Sequence, residues 1–192
     1  MSAALEFRQV SILFAQSRAG QKNVAAAEQA LRAGATREDI ASRLAVNVGV
    51  VDASLSVASG QICVLVGLSG SGKSTLLRAA NGLNRVTSGE VLLQDGAELI
   101  DVASCDVGTL RGLRRRRIAM VFQQFGLLPW RSVRANVGLG LELRGETRER
   151  QARLFADWKP SIPRAAAQLV GKPVILAAGD QPCPVPFSRL TL

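Results

Sequence analysis

The sequence predicts an α/β domain built around a phosphate-binding loop, and three observations in one stretch carry that expectation. Ile62 to Val66 (ICVLV) is a β-branched apolar run of buried-strand length. It leads directly into GLSGSGKST, Gly67 to Thr75, a run rich in glycine and serine. From Lys73 to Leu83 the apolar residues Leu76, Leu77, Ala80 and Leu83 recur on one helical face.

Gly67, Gly72, Lys73 and Ser74 fit the pattern G-x-x-x-x-G-K-[ST]. Glycines let the backbone turn tightly, so that successive N–H groups, here those of Ser69, Gly70, Ser71 and Gly72, point at phosphate oxygens. Lys73 then reaches the β- and γ-phosphates as a point charge, and Ser74 ligates Mg²⁺ through its hydroxyl. Thr75 falls beside the α-phosphate, and the helix that follows offers its positive N-terminal end. The order strand, loop, helix is the context that this pattern requires, and it makes the chain a P-loop nucleotide binder by expectation.

The other elements follow in order. Ala4 to Phe14 alternates as a strand, with Leu5, Phe7 and Val10 inward. Val24 to Ala33 is helical and stops at Gly34; Thr36 with Asp39 then forms a capping box that starts a second short helix, REDIASRL. Strands resume in VGVVDASLSVASGQICVLVG with a turn at Ser59-Gly60, and SGEVLLQDGAEL is a strand ending in the Asp95-Gly96 turn. Ile118 to Phe122 is a candidate buried strand delivering Gln123 at its end, where open α/β sheets place ligand-facing residues. RSVRANVGLGLELRG resumes as a helix that Ser132 can cap.

Composition sets the limits. A chain of 192 residues is expected to form one domain with a sizeable core. Cys63, Cys105 and Cys183 are too far apart for metal spacing or a disulfide framework, which points to a reducing compartment. No charged and apolar leader opens the chain, and the uncharged run Ala53 to Gly72 is a strand plus a loop rather than a membrane span. The net charge of +9 and the run RGLRRRR, Arg111 to Arg117, raise a nucleic-acid reading. Twenty of the twenty-four basic residues are Arg, as GC-rich codons alone would give, and no nucleic-acid motif accompanies the run. The Arg run reads as the solvated end of a helix, and no nucleic acid is expected.

The chain resembles the ATP-binding subunit of an ABC importer, and within that family the glycine betaine, proline betaine and choline branch. The resemblance covers about residues 4–145 and rests on GLSGSGKSTLLRAANGL, on IAMVFQQFGLLPWRSVRANV, on the helical insert of about residues 17–45, and on NVGVVDASLSVASGQI, which closes that insert. Phe14 lies 53 positions before Gly67, a longer separation than a generic cassette needs. The resemblance implies an ABC-type nucleotide-binding domain of P-loop NTPase fold, with N-terminal antiparallel strands, that binds ATP and Mg²⁺. Gln123 would approach the metal and the attacking water. Phe14 falls where the family keeps an aromatic residue to stack on adenine, and it could equally be a strand residue facing the core. Gln123 to Trp130 falls where the family's membrane permease docks; an apolar loop tucked into its own core is the other reading. A second ATP-binding subunit would complete a homodimer, and the location would be cytoplasmic, against the inner face of the plasma membrane.

Against that resemblance stand groups the sequence lacks. The family closes L-S-G-G-Q of one subunit over the nucleotide of the other, and uses an apolar strand ending in Asp-Glu and a switch histidine. The sequence has no L-S-G-G-Q and no histidine. In PVILAAGDQP, Pro173 to Pro182, Asp180-Gln181-Pro182 resembles Asp-Glu-Pro, but Gly179 interrupts the apolar run and Gln181 cannot act as a general base. An unrelated match is the favoured reading of that run. Six of the seven prolines fall between Pro160 and Pro186, a density set against regular helices or central strands. Residues 146–192 are therefore expected to be a divergent Pro-rich tail in place of the helical signature half. A frameshift and genuine divergence both give that composition. Two functions remain: the energy-coupling ATPase of a quaternary-amine importer, truncated and unable to hydrolyse ATP alone, or a nucleotide-binding remnant without transport. A basic nucleic-acid binder is third.

Overall fold

The computed structural model describes residues 3–121, 128–157 and 174–177 of the chain. Two compact units divide it, residues 1–110 with 171–192 and residues 111–170.

The first unit is organised by β1 (Ala3–Ala15), which pairs antiparallel with β2 (Val46–Ala58) on one side and with β4 (Ser88–Asp95) on the other. A further strand, β5 (Glu98–Asp101), pairs with β4 and completes a sheet of order β2-β1-β4-β5. The alternation of β1 places Leu5 and Phe7 inward as expected. Val10 is buried too, brought inward by an irregularity at Gln9, where φ is 47° and the register shifts, and Ile12, Val57, Val91 and Leu93 join them in the core. Gly60 and Gly96 adopt positive φ at the two turns where glycine was expected.

Between β1 and β2 the chain folds into α1 (Arg18–Lys22), α2 (Val24–Arg32) and α3 (Arg37–Leu44). Thr36 caps α3: its hydroxyl oxygen accepts from the Asp39 N–H at 3.1 Å, and the hydroxyl donates to the Asp39 carboxylate at 2.7 Å. That carboxyl is held below the usual Asp range, chiefly by the Thr36 hydroxyl bond and then by the backbone bond. Helix α1 has a cap that the sequence reading passed over, with Ser17 Oγ accepting from the Gly20 N–H at 3.2 Å. Leu13 and Val46 from the hairpin and Ala27 and Ile40 from the helices are all buried in one cluster.

The phosphate-loop strand β3 (Ile62–Leu65) pairs in parallel with β6 (Val174–Ala177), Ile62 opposite Val174 and Leu65 opposite Ala177. β6 falls in the Pro-rich tail, where central strands were not expected, and among the described residues it pairs only with β3 in a two-stranded sheet. The four residues VILA contain no proline and lie between Pro173 and Pro182, so the N–H groups of the ladder are intact. A correction concerns burial. Ile62 to Leu65 is only partly covered, with Ile62 exposed, whereas a parallel strand closed on both faces would be buried.

The second unit contains the end of α5 (Val107–Arg116), α6 (Val133–Leu143) and α7 (Arg148–Asp157). Arg114 to Arg116 form the last turn of α5, as read from the sequence. The strand expected over Ile118 to Phe122 is not found in its described part. Ile118 to Val121 has no strand pairing, and Val121 is 94% exposed, which removes the burial that would hold an apolar strand in place. Ser132 caps α6 as expected, accepting from the Ala135 N–H at 3.2 Å. Asn136 fastens the turn before it, accepting from the Leu128 N–H at 2.7 Å and donating to the Leu128 and Arg131 carbonyls at 3.1 Å.

Candidate functional site

The loop from Gly67 to Gly72 leaves β3 and enters α4 (Lys73–Ala79), the strand, loop and helix order that the pattern demands. Gly70 and Gly72 have φ of 76° and 95°, a region costly for any residue with a Cβ. A Cβ on Gly67 would stand 3.0 Å from Ser71 Oγ. Leu76, Ala79 and Ala80 are buried and seat the helix, while Leu83 lies beyond its end and is exposed, against the expectation that it shares the apolar face.

Lys73 folds back across the loop. Its ammonium donates to the carbonyls of Gly67 at 2.5 Å and Leu68 at 2.6 Å, and to Ser71 Oγ at 3.3 Å. All three acceptors are uncharged, and among the described residues no carboxylate pairs with Lys73. The positive charge is thus held at the loop without being neutralised there, and an anion entering the loop would meet it. Behind Thr75, Asn84 Nδ2 donates to the Thr75 carbonyl at 3.0 Å and steadies the first turn of α4.

Strand β2 backs the loop. A Cβ on Gly72 would lie 2.5 Å from the Gly49 carbonyl oxygen and 3.1 Å from Val50 Cγ2, so glycine is required there by space as well as by φ. A Cβ on Gly49 would in turn lie 2.8 Å from Phe14 Cε2 and 3.1 Å from Thr75 Cγ2. Phe14, on β1, is therefore brought to the same point as Thr75, and its ring is 40% exposed rather than facing the core. Gly49 is a site residue that the sequence reading missed, because nothing in its own neighbourhood marks a glycine that makes room for a ring 35 residues earlier in the chain.

Gln123 lies outside the described residues, as do Gln124 to Leu127 of the expected docking segment and the Asp180-Gln181-Pro182 run. Among the described residues no group of three or more His, Cys, Asp or Glu side chains could hold a metal ion. A cleft of about 330 Å³ between α6 and α7, lined by Ser132, Arg134, Glu142, Arg148 and Gln151 among others, contains no residue of the loop.

Comparison with known proteins decides the family. The family described as ABC transporter matches residues 50–176, which is more than half of the chain. The chain belongs to the ABC transporter family. It is 43% identical over 124 residues to ProV, the glycine betaine/proline betaine transport system ATP-binding protein of Escherichia coli, a match covering 65% of this chain and 30% of that protein. It is 42% identical over 136 residues to GbuA, the glycine betaine/carnitine transport ATP-binding protein of Listeria monocytogenes, covering 71% of this chain and 33% of that one. The chain thus spans about a third of the length of these relatives. Among solved structures, the dimeric structure of MJ0796, a bacterial ABC transporter cassette, aligns with a TM-score of 0.55 at 24% identity, covering 78% of this chain and 53% of that one. That likeness shows the fold: an α/β P-loop cassette with an antiparallel sheet and helices. Among the described residues no helix is long and apolar enough to cross a membrane.

Proposed function

We propose that this chain is an ATP-binding subunit of an ABC importer of glycine betaine-type quaternary amines, and that the 192 residues bind Mg-ATP without turning it over. The observation that carries the binding claim is the loop itself, with an unneutralised Lys73 ammonium held across Gly67 to Ser71 on a strand-to-helix turn that β2 backs. The importer branch is supported by the relatives that transport glycine betaine and by the helical insert between β1 and β2.

In this reading the N–H groups of Ser69, Gly70, Ser71 and Gly72 cradle the phosphates, and Lys73 exchanges its loop carbonyls for β- and γ-phosphate oxygens. Ring stacking on Phe14 holds the adenine. The residues present fit Mg²⁺: Ser74 is half-buried in the first turn of α4, and its hydroxyl has no hydrogen-bond partner among the described residues. Mg²⁺ prefers few protein oxygens together with phosphate oxygens and water, so the Ser74 hydroxyl with Gln123 would suffice to hold it, and when bound it neutralises charge on the phosphates. The partners are a membrane permease, engaged through Gln123 to Trp130, and a second ATP-binding subunit. Trp130 is 77% exposed, which suits a docking role. The working position is peripheral, on the cytoplasmic face of the membrane.

The claim of no turnover rests on chemistry that the sequence does not carry. It contains no switch histidine and no L-S-G-G-Q, and in Asp180-Gln181-Pro182, the nearest run to Asp-Glu-Pro, Gln181 cannot act as a general base. Losing a single stabilising group commonly costs about 10²-fold or more in rate. Phosphate release at saturating Mg-ATP tests this, with Lys73→Ala as the blank. The expected result is equal, background release from both proteins. Release at about one per second, typical of working enzymes, that Lys73→Ala abolishes would overturn it.

A further inference from the structure

The end of the β1–β2 hairpin has two different faces. Phe14 and Asn47 are register partners, so their side chains stand on the same face, about 5 Å apart at Cβ by the geometry of directly opposed residues. Gln16 continues that face, its backbone N–H bonding the Ala45 carbonyl at 2.9 Å. The alternate residues Leu13, Val46 and Val48 occupy the other face and pack with the insert helices. The insert thereby holds the hairpin end in place and leaves the Phe14 face open.

On the open face Gln16 Nε2 donates to Asn47 Oδ1 at 2.8 Å. Both side chains are exposed, and among the described residues neither amide makes another side-chain hydrogen bond. Asn47 Nδ2 therefore remains as a donor beside Gln16 Oε1 as an acceptor. Reversing both amides leaves the same combination of one donor and one acceptor. From this pair the face runs through the Phe14 ring and Gly49 to Thr75 and the phosphate loop.

We infer that Gln16 and Asn47 form a base-reading site that selects adenine over guanine in a nucleotide whose phosphates occupy the loop. An adjacent donor and acceptor match the N7 acceptor and N6-amino donor of adenine, the same edge that Asn and Gln read in nucleic acids. Guanine offers O6 and N7, both acceptors, and would leave the amide oxygen facing an oxygen. This inference rests on the reading of the loop and Phe14 as a nucleotide site, and the experiment separates the two.

Calorimetric titration of the full chain with ATP, GTP and ITP, each with Mg²⁺, is the test, applied to wild type, Phe14→Ala, Asn47→Ala and Gln16→Ala. Wild type should prefer ATP to GTP and ITP by about fivefold or more, since a good bidentate pair discriminates by at least that factor. Asn47→Ala should weaken ATP alone and bring the ratio near one, whereas Phe14→Ala should weaken all three alike. Gln16 lies beyond the end of β1, so Gln16→Ala gives the same readout should Asn47→Ala disturb the hairpin. A wild-type ratio near one, or a ratio that neither amide variant changes, overturns the base-reading site while leaving nucleotide binding intact. Failure of wild type to bind any of the three overturns the nucleotide site and this inference with it.

Discussion

A Cβ placed on Gly72 would stand 2.5 Å from the carbonyl oxygen of Gly49, so the phosphate loop and β2 touch through two glycines. Gly72 also has φ of 95°. Gly72→Ala should therefore destabilise the chain by about 1–3 kcal/mol, the usual cost of a side chain held in such backbone, and should abolish nucleotide binding. Thermal melting and an ATP titration check both parts. A variant that melts and binds as wild type would show that loop and strand are not in contact.

Gly49 has a second neighbour. Phe14 Cε2 lies 2.8 Å from the position a Cβ on Gly49 would take, and the backbone oxygen of Ile12 limits retreat at 3.0 Å. Gly49→Ala should push the Phe14 ring off its place and weaken ATP about as much as Phe14→Ala does, while the double variant should be no weaker than either single one. Additive losses would mean that the two residues act separately.

Much of this arrangement was legible in the sequence, and what was not depended on distant pairing. The phosphate loop, the Thr36 cap and the inward Leu5 and Phe7 are set by residues close together in the chain, where spacing alone carries the information. Gly49 under Phe14 and the Gln16–Asn47 pair arise only when β1 and β2 meet across the insert, and no local pattern reports that. Ile118 to Val121 misled for a related reason. Its apolar character is strand-like, but a strand needs neighbours on its edges and faces, and these residues have no strand pairing.

The insert should respond to its cap and to acid. Thr36→Ala should cost about 0.5–2 kcal/mol, as loss of an N-cap commonly does, measured by chemical denaturation. The Asp39 carboxyl is lowered in the folded chain, first by its bond from the Thr36 hydroxyl, from an ordinary value of 3.8. A lowered carboxyl stabilises above its unfolded value, and that contribution is lost as pH falls below 3.8 through the folded value. Thr36→Ala should therefore flatten the acid limb of the stability curve below about pH 4. An acid limb of unchanged steepness would sever Asp39 from the cap.

Several large apolar side chains remain uncovered: Leu68 is 80% exposed, and Val121 and Trp130 are more than three-quarters exposed. Dyes that fluoresce on apolar surface should bind the isolated chain, and Val121→Ser with Trp130→Ser should reduce that signal. Because both side chains are already in water, the melting temperature should hardly move. An undiminished signal would place the sticky surface elsewhere.

The account stands on Lys73 as the charge that holds nucleotide phosphate, and an equilibrium titration of Mg-ATP into wild type and Lys73→Ala tests it most directly. Removing a charged hydrogen bond costs about 1 kcal/mol or more, so the variant should bind at least about fivefold more weakly while keeping the wild-type fold by circular dichroism. Equal affinity in two equally folded proteins would contradict the account.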